Sequence, residues 1–155
     1  MAGYSGTPLP KKLGIKEGSS VLLRLAPEGF ERTLRPLPDA AKVALTGRTP
    51  FDVIVFFAAN RATLQRELPG MIGKLKQDGG LWLAWPKKTS GKLTDLEESF
   101  VRTSGLAAGL VDNKICAIDE TWSGLRFVYR LRDRAEVAST RRRAPSPARP
   151  SRRRP

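Results

Sequence analysis

The residue types that most often carry catalysis are scarce in this chain. Histidine, the commonest general acid–base group and metal ligand, does not occur among the 155 residues, and Cys116 is the one cysteine. A single cysteine excludes a disulfide within the chain and a cysteine-based zinc site. The apolar neighbours of Cys116 predict a buried thiol on a strand, with no histidine to activate it as a nucleophile. We therefore expect no catalytic residue of the usual types, no metal site and no cofactor.

The turn after the first predicted strand also lacks the pattern that nucleotide cofactors require. Such cofactors approach the backbone through a glycine-rich turn at a helix N-terminus. Residues 25–30 instead read Leu-Ala-Pro-Glu-Gly-Phe, with one glycine, a proline that lacks an N–H donor, and a carboxylate that repels anionic groups. After the second predicted strand, Thr46-Gly47-Arg48 stands where an acid usually binds ribose hydroxyls. Both features argue against a nucleotide-type cofactor.

Two adjacent acids are the remaining candidates for acid–base chemistry. Asp119 and Glu120 follow a predicted strand. In extended backbone, neighbouring side chains point to opposite faces, so the two carboxylates do not form an obvious pair. The sequence favours turn and salt-bridge roles for them.

The elements that would position these residues alternate between strands and helices. Strands are predicted at residues 20–26, 42–45, 51–57, 81–85, 114–119 and 125–132. A first helix is predicted at residues 28–35. A second begins after the N-cap Asn60, kinks at Pro69-Gly70 and stops at residues 78–80. A third runs from a capping box of Thr94 and Glu97 to about Ala108.

The pattern within two of the strands predicts the fold class. Residues 53–57 are continuously apolar, which is typical of a central parallel strand, whereas residues 125–132 alternate as an antiparallel strand does. The sequence therefore predicts one Rossmann-like α/β domain. We expect an open, mostly parallel sheet with a terminal antiparallel hairpin and helices on both faces.

Composition divides the chain into three parts. Residues 1–19 form an irregular lead-in with a helical turn near residues 11–13, and residues 20–133 form the domain. Residues 138–155 hold seven arginines and no acid, which leaves +6 of the net charge of +13 for residues 1–137. This tail has too few apolar residues to fold and is predicted to be disordered.

Ligands of open α/β sheets bind outside the carboxyl ends of the parallel strands. We call the side chains predicted there the strand-end rim and regard them as candidate ligand-binding residues. They are Glu28, Phe30, Asn60, Arg61, Lys87, Lys88, Asp119, Glu120 and Trp122. Mixed charges beside aromatic rings suit a small zwitterionic or anionic molecule, or a protein partner. The alternative is that these are ordinary solvated loop residues.

The tail offers a second kind of binding. Flexible arginines bind phosphates weakly and without sequence preference, so nucleic acid is a possible partner. The candidate residues are Arg141, Arg142, Arg143, Arg149, Arg152, Arg153 and Arg154. A tolerated low-complexity extension is the alternative interpretation.

Two resemblances accompany this reading. The segment from Phe51-Asp52-Val53-Ile54-Val55 to Gly79-Gly80-Leu81-Trp82-Leu83 resembles the fourth and fifth strands of class I methyltransferases, with the helix between them. More of the chain, about residues 4–133, resembles a family of short bacterial proteins known as domain of unknown function 3052. The segments that carry this resemblance are residues 11–15, 26–30, 80–88, 111–114 and 118–124. It implies a fold and no activity.

These observations predict a cytoplasmic, bacterial protein of no assigned activity. The leading interpretation is a non-catalytic or degenerate Rossmann-like module that binds a small ligand or a protein at the strand-end rim. Two alternatives stay open: a transferase-like enzyme that uses the same rim without a cofactor motif, and a nucleic-acid accessory protein that acts through its tail. No run of apolar residues is long enough to span a membrane.

Overall fold

The computed structural model describes residues 7–131 and residue 133. Within these residues the strands are β1 (Ser20–Arg24), β2 (Lys42–Ala44), β3 (Phe51–Phe57), β4 (Leu75–Pro86), β5 (Leu110–Ala117) and β6 (Trp122–Tyr129). The helices are α1 (Leu9–Lys12), α2 (Phe30–Thr33), α3 (Arg61–Gly73) and α4 (Glu98–Ala107), with a 3₁₀ turn at Lys88–Ser90.

The described strands form one six-stranded sheet in the order β2-β1-β3-β4-β6-β5. Strand β1 pairs in parallel with β2 and β3, and β3 pairs in parallel with β4. Strand β6 runs antiparallel to both β4 and β5. The predicted fold class, an open and mostly parallel sheet closed by an antiparallel hairpin, is confirmed.

Each face of the sheet carries its own core. Along β3, Ile54 and Phe56 pack in the cluster that includes the apolar side chains of α3 and α4. Val53, Val55 and Phe57 pack in the cluster that includes Phe30 of α2. Because β3 is covered on both faces, it needs an unbroken apolar sequence, as predicted.

The segment before β1 contributes to the second core. Leu13 and Ile15, just after α1, are buried beside Trp82 of β4. The indole Nε1–H of Trp82 donates a 3.0 Å hydrogen bond to the carbonyl oxygen of Leu13. This bond satisfies the one polar atom of a fully buried indole, so residues 9–15 are held against the middle of the sheet.

The predicted helix stop at residues 78–80 is wrong, because these residues lie inside β4. The ladder between β3 and β4 is irregular between Phe51 and Val53. A Cβ at Gly79 would lie 2.8 Å from the carbonyl oxygen of Asp52, and a Cβ at Gly80 would clash with the guanidinium of Arg126. Glycine is required here by close approach within a strand, not by a turn.

Other predicted boundaries shift by a few residues. Strand β1 ends at Arg24, since Leu25 has a left-handed φ of 59°. Strand β5 begins four residues earlier than predicted, at Leu110, and β6 ends at Tyr129. Helix α3 continues through Pro69, and α2 is only four residues long.

The predicted capping box at Thr94 and Glu97 does not form. The Thr94 hydroxyl donates a 2.7 Å hydrogen bond to the Ala59 carbonyl and accepts from the Leu96 N–H. Glu97 is itself the N-cap of α4, and its side chain makes no capping hydrogen bond. Thr94 therefore ties the loop before α4 to the end of β3.

Cys116 lies on a strand as predicted, but its side chain is only half-buried. Strand β5 is an edge strand of the sheet, and Ile115, which precedes Cys116, is 52% exposed. Burial raises the pKa of the Cys116 thiol, while Lys12 and Lys114 act in the opposite direction. This environment keeps the thiol protonated at neutral pH.

No helix among the described residues combines the length and apolarity needed to cross a bilayer. The tail predicted at residues 138–155, with its seven arginines, lies outside the described residues.

Candidate functional site

The sheet divides the strand-end rim between its two faces. Trp85 at the end of β4 belongs to the core under α3 and α4, whereas Trp122 at the start of β6 belongs to the opposite core. Lys87 and Lys88 line a cavity together with Trp85. Phe30 and Trp122 pack on the other side. The nine rim residues therefore do not surround one common space.

A cavity of about 590 Å³ lies between the end of β4 and the start of α4. We call it the β4–α4 cavity. Trp85 and Leu96 supply its apolar lining. Its remaining lining residues are Lys87, Lys88, Thr89, Glu97, Glu98, Ser99, Arg102 and Ser123.

Both signs of charge line the β4–α4 cavity. The lysines come from the segment after β4 and the glutamates from the start of α4. Arg102 is held by Glu98 at 2.9 Å and by Asp112 of β5 at 3.1 Å. Hydrogen bonds to Asp112 and Glu98 raise the pKa of Arg102, so it stays charged and fixed in place.

Lys88 and Glu97 are the cavity's uncommitted charges. Neither side chain makes a hydrogen bond or an ion pair with another residue in the ranges that the structure describes. Both side chains are exposed. A ligand in the cavity can therefore contact a cation and an anion without first breaking a native ion pair.

Asn60 and Arg61, also predicted at the rim, have structural partners. The Asn60 side chain accepts a 2.8 Å hydrogen bond from the Thr63 N–H and so caps α3, as its sequence position predicted. Arg61 donates from its backbone N–H to the Asp95 carboxylate and from Nε to the Asp95 carbonyl, both at 2.8 Å. Its guanidinium also lies 4.2 Å from the centre of the Phe100 ring. These contacts fasten the loop that leads into α4.

Aromatic packing occupies the opposite face of the rim. Phe57 makes edge-to-face contacts with Phe30 at 4.8 Å and with Trp122 at 5.1 Å between ring centres. Phe30 is 4% exposed and Trp122 is 7% exposed, so both rings are core residues. Glu28 is exposed beside them.

The two acids after β5 differ in their surroundings. The Asp119 carboxylate accepts hydrogen bonds of 2.8 Å from the backbone N–H groups of Thr121 and Trp122. Glu120 is exposed. Asp119 thereby shapes the turn that brings Trp122 back into the sheet, in agreement with the turn role favoured by the sequence.

The loop after β1 is short and irregular. Leu25 is 48% exposed with φ of 59°, and Gly29 adopts φ of 82° before the four-residue helix α2. Leu45, after the neighbouring strand β2, is 56% exposed. The ends of β1 and β2 thus present two apolar side chains at the edge where ligands of open sheets bind.

The sequence did not single out the contribution of α4 to the cavity. Glu97, Glu98, Ser99 and Arg102 were assigned only to a helix, although a helix that follows a parallel strand begins at that strand's carboxyl end. That rule would have found them. Ser123 lies on β6, two residues before the predicted start of that strand, so the sequence did not place it at the cavity. Among the described residues, no group of three or more carboxylate, cysteine or histidine side chains is arranged to hold a metal ion.

Comparison with known proteins supports the fold and adds no family. No protein-family model matches the sequence, and no curated protein matches it. The match to domain of unknown function 3052 therefore gains no support from that comparison.

Several solved structures are similar to this chain. A DhpI–SAH complex has a TM-score of 0.55 at 9% identity, covering 77% of this chain and 81% of that chain. A SAM-dependent methyltransferase from Aquifex aeolicus has a TM-score of 0.49 at 16% identity, covering 76% of this chain and 85% of that chain. A ribosomal protein L11 methylase from Lactobacillus delbrueckii subsp. bulgaricus has a TM-score of 0.49 at 13% identity, with coverages of 79% and 75%. At 9% identity the likeness to the DhpI–SAH complex concerns the fold alone, a Rossmann-like α/β sheet.

Proposed function

We propose that this chain is a non-catalytic binding module that holds a small zwitterionic or anionic molecule in the β4–α4 cavity. The observation that carries the proposal is a cavity at the carboxyl end of a parallel strand, lined by charges of both signs above apolar side chains. Ligands of open α/β sheets bind at this edge.

The size and lining of the cavity suit a small metabolite. Its volume of about 590 Å³ lies within the range of small-molecule sites, roughly 300–1,000 Å³. Trp85 and Leu96 offer an apolar surface, while Lys88 and Glu97 can pair with a carboxylate or phosphate and with an ammonium group. Arg102, held in place by two acids, adds a fixed positive charge at the same wall.

The side chains of the cavity favour binding over chemistry. The sequence contains no histidine, and the Arg102–Glu98 pair is committed to structure. Lys88 and Glu97 are exposed, so a reacting group beside them would remain in contact with water. A polar recognition site needs only charge and shape complementarity, and these groups provide both.

Mass spectrometry of small molecules released from gently purified protein would identify candidate ligands. Thermal-shift and calorimetric titrations with α-amino acids, succinate and inorganic phosphate would then measure binding. We expect Lys88→Gln to weaken binding about tenfold or more, because the loss of one charge-assisted contact costs about 1.5–3 kcal/mol.

Lys92→Gln is the matched control, because Lys92 is exposed in the same loop and does not line the cavity. Equal affinity of wild type, Lys88→Gln and Lys92→Gln for every bound probe would refute the cavity as the site. Turnover of a bound probe would remove the non-catalytic part of the proposal.

A transferase-like enzyme on the same fold is the second candidate. The similarity to a DhpI–SAH complex favours it, and the ligand of that complex, SAH, is the molecule to test. Leu25 and Leu45 would provide an apolar contact for an adenosyl group at the ends of β1 and β2. Against it stand the single glycine and the carboxylate of the loop after β1.

Calorimetry with adenosylhomocysteine separates the two candidates. Binding that Leu45→Glu abolishes and Lys88→Gln leaves unchanged would favour the second candidate. The absence of binding, or binding lost only in Lys88→Gln, would favour the first.

Four further assignments belong with this proposal. A cytoplasmic, bacterial setting and membership of the domain of unknown function 3052 family rest on the sequence patterns given above. A protein partner at the rim is compatible with the same exposed charges. Weak nucleic-acid binding through the arginine-rich residues 138–155 rests on their charge alone.

A further inference from the structure

The outer surface of helices α3 and α4 contains a second cavity, which shares no lining residue with the β4–α4 cavity. It is an open groove of about 650 Å³. We call it the α3–α4 groove. Leu68 and Ile72 of α3 and Phe100 and Ala107 of α4 contribute most of its apolar lining, and none of the residues that line it is charged.

Charged residues are also absent from the second halves of the two helices, although the Arg61 guanidinium lies 4.2 Å from the centre of the Phe100 ring, which lines the groove. Residues 68–73 and 103–111 contain no Asp, Glu, Lys or Arg, although 28% of the whole chain is charged. Leu106 is 40% exposed on the outer side of α4. The second halves of the two helices therefore present a neutral, partly apolar surface on a strongly basic protein.

The residues around the groove are small enough to let another helix approach. Ser104, Ala107 and Ala108 line the α4 side of the groove. Ala107 and Ala108 are exposed at the end of α4. The distance between packed helices shortens with the size of the side chains at their contact, so this surface accepts a close helix–helix packing.

We propose that the occupant of the α3–α4 groove is a second copy of this chain. Each copy inserts the outer side of its α4, led by Leu106 and Ala107, into the groove of the other. A twofold axis makes each contact occur twice, so that a neutral surface meets an identical neutral surface.

Charge is the argument for a second copy over another partner. Two chains of net charge +13 repel each other wherever their charged surfaces meet. The neutral surface is where two copies can touch with the least repulsion. An acidic partner would instead bind to the basic surfaces, because no residue that lines the groove offers it a positive charge.

The test is the mass of the full-length protein in solution, measured by sedimentation equilibrium and by light scattering after size exclusion. We expect wild type to have twice the mass of one chain. Ala107→Glu places two carboxylates at the twofold contact and should weaken association at least about tenfold. Glutamate is a good helix former, so α4 should persist, and circular dichroism verifies it.

Ala62→Glu is the matched control, since Ala62 is exposed in the first turn of α3, away from the groove. It should leave the mass at twice that of one chain. Raised salt should preserve or strengthen the dimer, because the interface is neutral and like charges outside it are screened. A monomeric wild type, equal weakening by both substitutions, or dissociation on adding salt would each overturn the proposal.

Discussion

Asp119 lies at the strand-end rim, and its carboxylate accepts hydrogen bonds from the protein's own backbone. Two N–H groups donate to it at 2.8 Å. Asp52, near the amino end of the interior strand β3, is similar: it accepts from the Ser20 N–H at 2.8 Å and pairs with Lys76 at 3.1 Å. Asp119 and Asp52 thus stabilise the fold, and we expect their substitution to change the stability of the protein more than its ligand binding.

Asp119→Ala should lower the free energy of unfolding by about 1–3 kcal/mol, because it leaves two turn N–H groups without their acceptor. Asp119→Asn retains an acceptor oxygen and should cost less. Urea denaturation followed by tryptophan fluorescence measures both. Glu120→Ala, at the exposed neighbour, should change stability by no more than about 0.5 kcal/mol. Similar effects at the two positions would contradict the turn role of Asp119.

Asp52 gives a pH dependence with a defined sign. Burial raises the pKa of Asp52, but hydrogen bonds from Ser20 and Lys76, with the charge of Lys76, outweigh it and leave the pKa below its usual range. The folded state therefore holds the carboxylate charged at a pH where the unfolded chain takes up a proton. The stabilisation is complete above the usual aspartate pKa of about 4 and is lost as pH falls through the lower folded pKa.

Asp52→Asn should accordingly be less stable than wild type at neutral pH, and the difference should shrink as pH falls below about 4. Denaturant titrations at a series of pH values measure it. A difference that stays constant down to pH 2 would show that the Asp52 charge contributes nothing.

The elements show where sequence patterns suffice and where they fail. The continuous apolar run of β3 and the N-cap Asn60 were predicted correctly, since each depends on local sequence. The start of β4 was not, because Gly79 and Gly80 are fixed by the Asp52 carbonyl and the Arg126 side chain, which are distant in sequence. For the same reason, only part of the lining of the β4–α4 cavity was among the predicted rim residues. Its lysines directly follow a predicted strand, whereas its glutamates reach the cavity only through the position of α4 in the fold.

Helix α4 depends on a glycine for its fit to the sheet. A Cβ at Gly105 would overlap the ring of Phe127, which is fully buried on β6. Gly105→Ala should therefore destabilise the protein, since overpacking costs about 1–3 kcal/mol and outweighs a helix-propensity gain of at most about 1 kcal/mol.

Gly70→Ala makes the same change in α3, where a Cβ would meet nothing within 4 Å. It should stabilise the protein by up to about 1 kcal/mol. Thermal unfolding of the two variants beside wild type is the measurement. If both substitutions shift the midpoint of thermal unfolding in the same direction, the contact between Gly105 and Phe127 does not exclude a larger side chain at residue 105.

The three proposed interactions depend on different residues of the chain. The β4–α4 cavity lies at the start of α4, and the neutral surface lies at its end. More than half of the net charge of +13 belongs to the seven arginines of residues 138–155, outside the described residues. Ligand binding, self-association and phosphate binding can therefore be tested independently.

The full chain should bind generic duplex DNA weakly, whereas a chain that ends at Val137 should not. If all seven arginines neutralise phosphates, the logarithm of affinity falls with the logarithm of salt concentration with a slope of about −6. Fluorescence anisotropy at several salt concentrations measures both chains. Equal binding by the two would assign the phosphate contacts to residues 1–137.

The position of β6 has a consequence for synthesis of the chain. Strand β5 precedes β6 in sequence, yet its only neighbour in the described sheet is β6, which separates it from β4. When β5 leaves the ribosome it has no strand with which to pair, and it stays exposed until residues 122–129 have followed. Premature termination between residues 117 and 122 would thus release a polypeptide in which β5 has no partner strand and β4 has an unpaired edge, a species prone to aggregate and to be degraded.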